Sequence, residues 1–182
     1  MTIETLVEES KQKGAEFITH KGTIHSVNPP ETLFGYTYWA HAIPPIKPES
    51  MLVLGYGSGT VPKLVRKIFG NSFECHGIDL AIPSPQDHDI VVQSEAFKFV
   101  MECDRKYDYI CVDLWNGGKC EEFVVWDKKF IENLKRIAGR FVSLNISPPK
   151  NYHEHVQLYK DAGFNPDRFV IIQNQIIEWY SV

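Results

Sequence analysis

Residues 51–60 read Met51-Leu-Val-Leu-Gly-Tyr-Gly-Ser-Gly-Thr60, an apolar run that leads into a loop with glycine at every second position. An unbroken apolar run is typical of a strand that is buried on both faces of a parallel sheet. Glycines directly after such a strand let the backbone turn sharply and approach a ligand, because they carry no Cβ atom. The residues that follow, 61–69, have a helical pattern, and the free N–H groups at a helix start favour an anionic part of a ligand. The stretch therefore indicates a nucleotide-type pocket.

The spacing of the glycines argues against two common kinds of nucleotide-binding loop. They are Gly55, Gly57 and Gly59, and Thr60 stands where a dinucleotide-binding fingerprint, G-x-G-x-x-G, has its last glycine. A P-loop is excluded as well, because no Gly-Lys-Ser/Thr follows. A tight turn without a ligand is the alternative interpretation, since glycine-rich turns after strands are common.

A G-x-G-x-G loop after a strand resembles the first motif of the class I S-adenosylmethionine-dependent methyltransferase fold. This resemblance implies that Gly55, Tyr56, Gly57 and Gly59 bind the donor, S-adenosylmethionine. It also implies an α/β fold with a doubly wound, mostly parallel, seven-stranded sheet and a short N-terminal extension.

An aspartate at the end of the next predicted strand supports the same pocket. The β-type run 72–78 ends in Asp79, about 20 residues beyond the glycine loop. A carboxylate there can accept hydrogen bonds from both ribose hydroxyls of an adenosine, and we expect the neighbouring Leu80 in the same pocket. The alternative is that Asp79 caps a turn before the proline-containing stretch 81–85.

A second acidic residue follows the third predicted strand. In the methyltransferase fold an acidic residue here commonly accepts a hydrogen bond from the adenine amino group. The resemblance assigns this role to Glu95, with the backbone amide of Ala96 beside it. The alternative is an acidic residue in the first turn of a helix, which the helix dipole favours.

The fourth predicted strand, within residues 107–118, carries the most specific local match. This stretch resembles the spermidine synthase-like branch of the fold in its aromatic-Asp pair, in its terminal Asp113 and in the phenylalanine-rich helix that follows. The resemblance covers about residues 33–146. The resemblance implies that Asp113 contacts the donor and takes a proton from the attacking group. The alternative is that Asp113 caps a loop. Trp115 is a further donor-binding candidate, because its ring face attracts a sulfonium, and the alternative is that it fills the edge of the sheet.

Some residues depart from a true polyamine synthase. Those enzymes carry a second acid shortly after the fourth strand, where this chain has Trp115 and Asn116, and losing a carboxylate weakens selection for a polycation. Residues 33–36, Leu-Phe-Gly-Tyr, resemble the aromatic segment of those enzymes that lies over the donor, and Thr37 stands where they have glutamine after it. The candidates for substrate contacts are Tyr36, Thr37 and Asn116.

The functions left open fall into three classes. The favoured one is a methyltransferase that acts on a small molecule, where catalysis is mostly alignment of the methyl group, the sulfur and the acceptor. The second is an aminopropyltransferase that uses decarboxylated S-adenosylmethionine. The third is a noncatalytic adenosyl-binding module. No motif names the acceptor.

Composition indicates one ordinary globular domain. The chain has 182 residues, 43% of them hydrophobic, and a mean hydropathy of -0.23. We expect a single domain over 1–182, with 1–48 as a cover and 49–182 as the donor-binding core. The net charge of -4 argues against a nucleic-acid partner. The chain has no stretch of transmembrane length and no signal-peptide pattern, so we expect no membrane partner and a cytoplasmic location.

Neither the cysteines nor the histidines predict a metal site. The four cysteines contain no C-x-x-C pair, and His153 and His155 lack further ligands at metal-site spacing. The aromatic-rich segment 34–39 is expected to be core, with a lid or a dimer contact as alternatives. A homodimer is left open.

Periodicity predicts strands that alternate with helices, which indicates a parallel sheet covered on both faces. The predicted strands are 51–54, 73–78, 90–92, 109–114, 140–146, 169–172 and 175–179. The predicted helices are 2–13, 32–41, 61–69, 96–103, 127–137 and 152–162, with a β-hairpin over 16–27. The last two strands are separated by only two residues, so they should pair antiparallel.

Overall fold

The computed structural model describes residues 3–20, 23–28, 38–81, 88–116, 118–172 and 174–182. The helices in these ranges are α1 (Ile3–Gln12), α2 (Tyr38–His41), α3 (Thr60–Phe69), α4 (Ala96–Glu102), α5 (Glu122–Trp126), α6 (Lys128–Ile137) and α7 (Tyr152–Asp161). The strands are β1 (Glu16–His20), β2 (Thr23–Asn28), β3 (Ser50–Leu54), β4 (Glu74–Asp79), β5 (Asp89–Gln93), β6 (Tyr107–Val112), β7 (Trp115–Asn116), β8 (Lys119–Cys120), β9 (Ala138–Ile146), β10 (Asn165–Ile172) and β11 (Gln175–Ser181).

The central sheet has seven strands in the order β10-β11-β9-β6-β3-β4-β5. Neighbouring strands from β9 to β5 are parallel, whereas β11 is antiparallel to both β9 and β10. Parallel neighbours need crossover connections, and here most of these contain helices that cover the faces of the sheet. The mostly parallel, doubly wound α/β sheet and its closing hairpin are confirmed.

Two hydrophobic cores lie on opposite faces of this sheet, because successive residues of a strand point to opposite sides. In β3, Leu54 lies in the core that contains residues of α4 to α7, whereas Val53 lies in the core that contains α3. The second core also receives Val27 of β2 and Trp39 of α2. The segment before β3 therefore packs on the α3 face of the sheet.

Helix α6 shows how the local sequence forms one of the helices that pack on the sheet. Asp127 precedes the helix and accepts a hydrogen bond of 2.8 Å from the N–H group of Phe130, which satisfies one of the free donors at the helix start. Phe130, Leu134 and Ile137 recur at helical spacing and are all buried in the first core.

The structure also contains elements that periodicity did not predict. Strands β7 and β8 form a hairpin with two paired residues on each side, shortly after Asp113, and the five-residue helix α5 follows. Elements this short do not complete a recognisable apolar repeat. The predicted helix over 32–41 is described only from Tyr38 onward, and most of the loop between β4 and β5, residues 82–87, lies outside the described ranges. Among the helices that the structure describes, none is long and apolar enough to cross a membrane.

Candidate functional site

The glycine loop lies at the carboxyl end of β3 and leads into α3. Gly55, Gly57 and Gly59 have φ angles of 83°, 55° and 76°, in the left-handed region that side chains disfavour. At Gly55 a Cβ atom would also lie 2.1 Å from the carbonyl oxygen of Asp113. The loop therefore requires glycine both for its conformation and for the close approach of the β3 and β6 ends.

Tyr56 supports this loop on the α3 side of the sheet. Its ring covers Gly77 of β4, where a Cβ atom would lie 2.2 Å from the ring. Its hydroxyl donates a hydrogen bond of 2.6 Å to Asp89 of β5, which also forms a buried ion pair with Arg66 of α3. Burial and the bond to Asp89 raise the pKa of the Tyr56 hydroxyl, so it remains a donor. The side chain of Tyr56 is engaged in the core, and its predicted donor contact stays a prediction.

Asp79 ends β4 directly beside the glycine loop. Its Oδ2 atom accepts a hydrogen bond of 2.8 Å from the N–H group of Gly57, and its Oδ1 atom accepts one of 3.0 Å from Ala81. A carboxylate has about four acceptor sites, so both oxygens can accept further donors such as ribose hydroxyls. Leu80 is 70% exposed next to it. The structure thus brings Asp79 to the loop, as its position after the strand predicts.

Glu95 caps helix α4. Its two carboxylate oxygens accept hydrogen bonds of 2.8 Å from the N–H groups of Phe97 and Lys98. Ala96, the first residue of the helix, is buried. Capping therefore accounts for an acidic residue here, and the adenine contact of Glu95 stays a prediction.

Asp113 follows β6 and receives two side-chain hydrogen bonds. Its Oδ2 atom accepts one of 2.8 Å from the hydroxyl of Tyr38 in α2, and its Oδ1 atom accepts one of 2.8 Å from the amide of Asn145 in β9. The pKa of Asp113 is raised to about 6, because burial and the charge of Asp79 raise it more than these two hydrogen bonds lower it. A carboxyl group with a pKa of about 6 can accept a proton near neutral pH.

Sequence motifs do not identify Tyr38 or Asn145 as partners of the carboxylate. An aromatic-rich segment indicates core packing, and Trp39, next to Tyr38, is indeed 3% exposed. The alternation along β9 is the signal that could have found Asn145, because it places this side chain on the face opposite Leu144 and Ile146, which lie in the first core.

Trp115 lies in the β7–β8 hairpin. Its indole N–H donates a hydrogen bond of 3.1 Å to the carbonyl oxygen of Asn145. The ring therefore lies next to the end of β9, where the Asn145 side chain contacts Asp113. Asn116, beside it, is exposed. Tyr36 and Thr37, the other substrate candidates, lie outside the described residues.

A small surface cleft lies beside Asp113. It is lined by Trp39, Val53, Gly55, Tyr56, Thr60, Val61 and Asp113. Among the described residues, this lining combines apolar and aromatic groups with one carboxylate and includes no basic side chain. Such a lining favours a neutral or cationic ligand group over an anion. Within the described ranges, no group of three or more histidine, cysteine, aspartate and glutamate side chains could hold a metal ion.

Comparison with known proteins finds similarity at the level of structure. No protein-family model matches the chain, and no curated protein matches it. The N-methyltransferase NodS of Bradyrhizobium japonicum has a TM-score of 0.57 at 9% identity, over 85% of this chain and 97% of that one. Fibrillarin of Aeropyrum pernix, solved with bound S-adenosyl-L-methionine, has a TM-score of 0.55 at 14% identity, over 72% of this chain and 66% of that one. A spermidine synthase, solved with the transition state analogue AdoDATO, has a TM-score of 0.61 at 11% identity, over 88% of this chain and 64% of that one.

These similarities agree with the strand order of the central sheet. The fold is that of class I S-adenosylmethionine-dependent methyltransferases. The chain spans about two thirds of the fibrillarin and spermidine synthase chains, and identities this low concern the fold rather than the activity. In this methyltransferase fold, the glycine loop, Asp79 and Asp113 lie at the carboxyl edge of the parallel strands, where open α/β sheets bind their ligands.

Proposed function

We propose that the protein is an S-adenosylmethionine-dependent methyltransferase that acts on a small molecule. The observation that carries this proposal is the meeting of Gly57, Asp79 and Asp113 at one edge of the sheet, in a chain with the methyltransferase fold. The loop can admit the donor closely, because its glycines have no side chains. The segment before β3 supplies Trp39 to the lining of the cleft and Tyr38 as a hydrogen-bond donor to Asp113.

The ribose, the adenine and the sulfonium of the donor each have a candidate partner in this arrangement. The ribose hydroxyls donate to the carboxylate of Asp79, and the adenine extends along Leu80 towards Glu95 and Ala96. The sulfonium lies near Asp113, whose negative charge offsets its positive charge. The structures of fibrillarin and the magnesium protoporphyrin IX methyltransferase of Synechocystis, both solved with bound S-adenosylmethionine, support this choice of cofactor.

The transfer itself needs alignment and, for some acceptors, a base. A lone pair of the acceptor attacks the methyl carbon, the new bond forms as the carbon–sulfur bond breaks, and the bonding pair stays on sulfur to give S-adenosylhomocysteine. If the attacking atom carries a proton, the proton passes to the carboxylate of Asp113. The net charge of -4 and the acidic cleft support a small molecule over nucleic acid as the acceptor. A cytoplasmic location and a homodimer stay predictions from sequence.

Calorimetric titration with S-adenosylhomocysteine tests the proposal. We expect micromolar binding by the wild-type protein and a loss of at least roughly tenfold in Asp79→Ala, since each lost hydrogen bond to a charged group is worth about 1.5–3 kcal/mol. Asp161→Ala is the matched control, because Asp161 is exposed and bonds Gln157 at the end of α7. No heat with the wild-type protein would remove the proposed function, and an Asp79→Ala protein that binds normally would remove the assigned pocket.

A second candidate function is aminopropyl transfer from decarboxylated S-adenosylmethionine. It is favoured by the likeness to spermidine synthase over 88% of this chain and by the carboxylate of Asp113 in the cleft. It predicts tighter binding of methylthioadenosine than of S-adenosylhomocysteine, and product formation with putrescine. Binding of either ligand, with no transfer from either donor to a panel of amines and hydroxyl compounds, would instead indicate a noncatalytic adenosyl-binding module.

A further inference from the structure

Tyr38 connects the N-terminal segment to the carboxylate of the site. Its hydroxyl donates to Oδ2 of Asp113 at 2.8 Å, although the two residues are 75 positions apart in the chain. Asn145 donates to the other oxygen at the same distance. The carboxylate is thus held by one side chain from the central sheet and by one from helix α2, in the segment that precedes the sheet.

Helix α2, which carries this tyrosine, has its own attachments to the sheet. Trp39 is 3% exposed and lies in the core on the α3 face. The indole N–H of Trp179 donates a hydrogen bond of 2.7 Å to the carbonyl of His41, and the hydroxyl of Tyr109 donates one to the carbonyl of Ala42. The backbone around the tyrosine is therefore fixed by contacts that do not involve the carboxylate, as a positioning group requires.

Few groups near Asp113 change charge close to neutral pH. Burial raises the pKa values of Tyr38 in α2 and Tyr109 in β6, and it raises the pKa of Cys111 in β6 to about 12. All three therefore stay protonated and neutral while Asp113 titrates. Among the residues that the structure describes, the remaining charged neighbour is Asp79 of β4, which raises the pKa of Asp113. Hydrogen bonds that are donated to a carboxylate act in the opposite direction, because they favour its ionised form.

We propose that Tyr38 is a positioning residue for Asp113. Its hydroxyl keeps the Asp113 carboxylate ionised and oriented beside the cleft. The N-terminal segment thereby sets the negative charge that faces a cationic ligand group. The hydroxyl acts through Asp113 and not on the reacting atoms. The part of this inference that concerns the donor rests on the proposed function, because the sulfonium and the ammonium of S-adenosylmethionine supply the positive charge. The contact between the two side chains does not depend on it.

A carbon-13 NMR titration of the Asp113 carboxyl group in the ligand-free protein tests the contact directly. We expect a midpoint near pH 6 in the wild-type protein and one that is higher by roughly half a unit or more in Tyr38→Phe, because one hydrogen bond to the ionised form is lost. The resonance is assigned by its absence in Asp113→Asn. Tyr159→Phe is the matched control, since the buried Tyr159 hydroxyl donates to the carbonyl of Val124 in the other core, and its midpoint should equal that of the wild type.

Equal midpoints in the wild-type protein and Tyr38→Phe would overturn the proposal. If Tyr38→Phe does not fold, 3-fluorotyrosine at position 38 replaces it. This residue is a stronger hydrogen-bond donor of nearly the same shape, so it should lower the midpoint, and an unchanged midpoint would overturn the proposal as well.

Donor binding as a function of pH tests the consequence. Calorimetric titration with S-adenosylmethionine between pH 5.5 and 8 should show affinity that rises with pH as Asp113 ionises. In Tyr38→Phe the same rise should lie at higher pH, with roughly two- to threefold weaker binding at pH 5.5 for a half-unit shift, whereas Tyr159→Phe should follow the wild type. Superimposable curves for Tyr38→Phe and the wild type would overturn the link to donor binding. If the wild-type protein binds no S-adenosylmethionine at any pH, the proposed function fails, and the NMR titration alone decides the role of Tyr38.

Discussion

At the scale of single residues, the conformation of the glycine loop depends on the side chain of Tyr56. Tyr56 is 3% exposed, and its ring fills the space over Gly77. The same ring limits Gly59, where a Cβ atom would lie 2.5 Å from the Tyr56 hydroxyl. Glycines at 59 and 77 are therefore explained by one aromatic ring, and the loop takes its shape from the packing of that ring between β4 and α3.

Gly77→Ala tests this packing. We expect the substitution to reduce the free energy of unfolding by about 1–3 kcal/mol, because the new methyl group overlaps the ring and interiors do not absorb added volume. It should also weaken S-adenosylhomocysteine binding, since a displaced Tyr56 ring moves the loop. In a Tyr56→Leu background, Gly77→Ala should reduce the free energy of unfolding by less. Urea denaturation of the wild type, the two single variants and the double variant would measure the difference. Strictly additive losses in this double-mutant cycle would show that the ring and Gly77 do not interact.

At the scale of elements, a buried polar pair joins α7 to β11. Nε2 of His155 lies 2.7 Å from Oε2 of Glu178, and Nδ1 of His155 donates a hydrogen bond of 3.0 Å to the carbonyl of Val125 in α5. A carbonyl oxygen only accepts, so Nδ1 carries a proton, and an ionised Glu178 requires a second proton on Nε2. Burial alone would lower the pKa of His155, but the hydrogen bond to Glu178 and its charge raise the pKa above the ordinary value.

Glu178→Gln is expected to lower the free energy of unfolding by about 3 kcal/mol at pH 6, because it removes one partner of a buried charged pair. A histidine with a raised pKa stabilises the folded state fully below its unfolded pKa of about 6.5, and this contribution is lost as the pH rises through the folded value. The difference between wild type and variant should therefore shrink at pH 9 in urea denaturation. Glu122→Gln, at an exposed position in α5, is the control. An equal difference at pH 6 and pH 9 would contradict a charged pair.

At the scale of the whole molecule, the sheet and much of the site follow from local sequence. Apolar runs indicate the buried parallel strands, and the carboxyl ends of parallel strands meet at one edge. For this reason, the positions of Gly55, Asp79 and Asp113 at the ends of three predicted strands were enough to place them together. The closing hairpin was likewise predictable, because only two residues separate its strands.

The contacts that complete the site could not be predicted in this way. Tyr38 and Asp113 are separated by 75 residues, and α2 has only four residues, so no local period marks the side of the sheet on which Tyr38 lies. The role of Glu95 stayed open for a different reason, because a carboxylate at the start of the predicted helix 96–103 is compatible with both a cap and an adenine contact. Tertiary packing, rather than local propensity, decides these positions.

A crystal structure of the protein with S-adenosylhomocysteine would test the central claim most directly. The adenosyl donor is expected to lie along the Gly55–Gly59 loop, with its ribose hydroxyls on the Asp79 carboxylate and its sulfur facing Asp113. Electron density for the ligand elsewhere on the protein, or a glycine loop that stays empty at millimolar ligand, would contradict it.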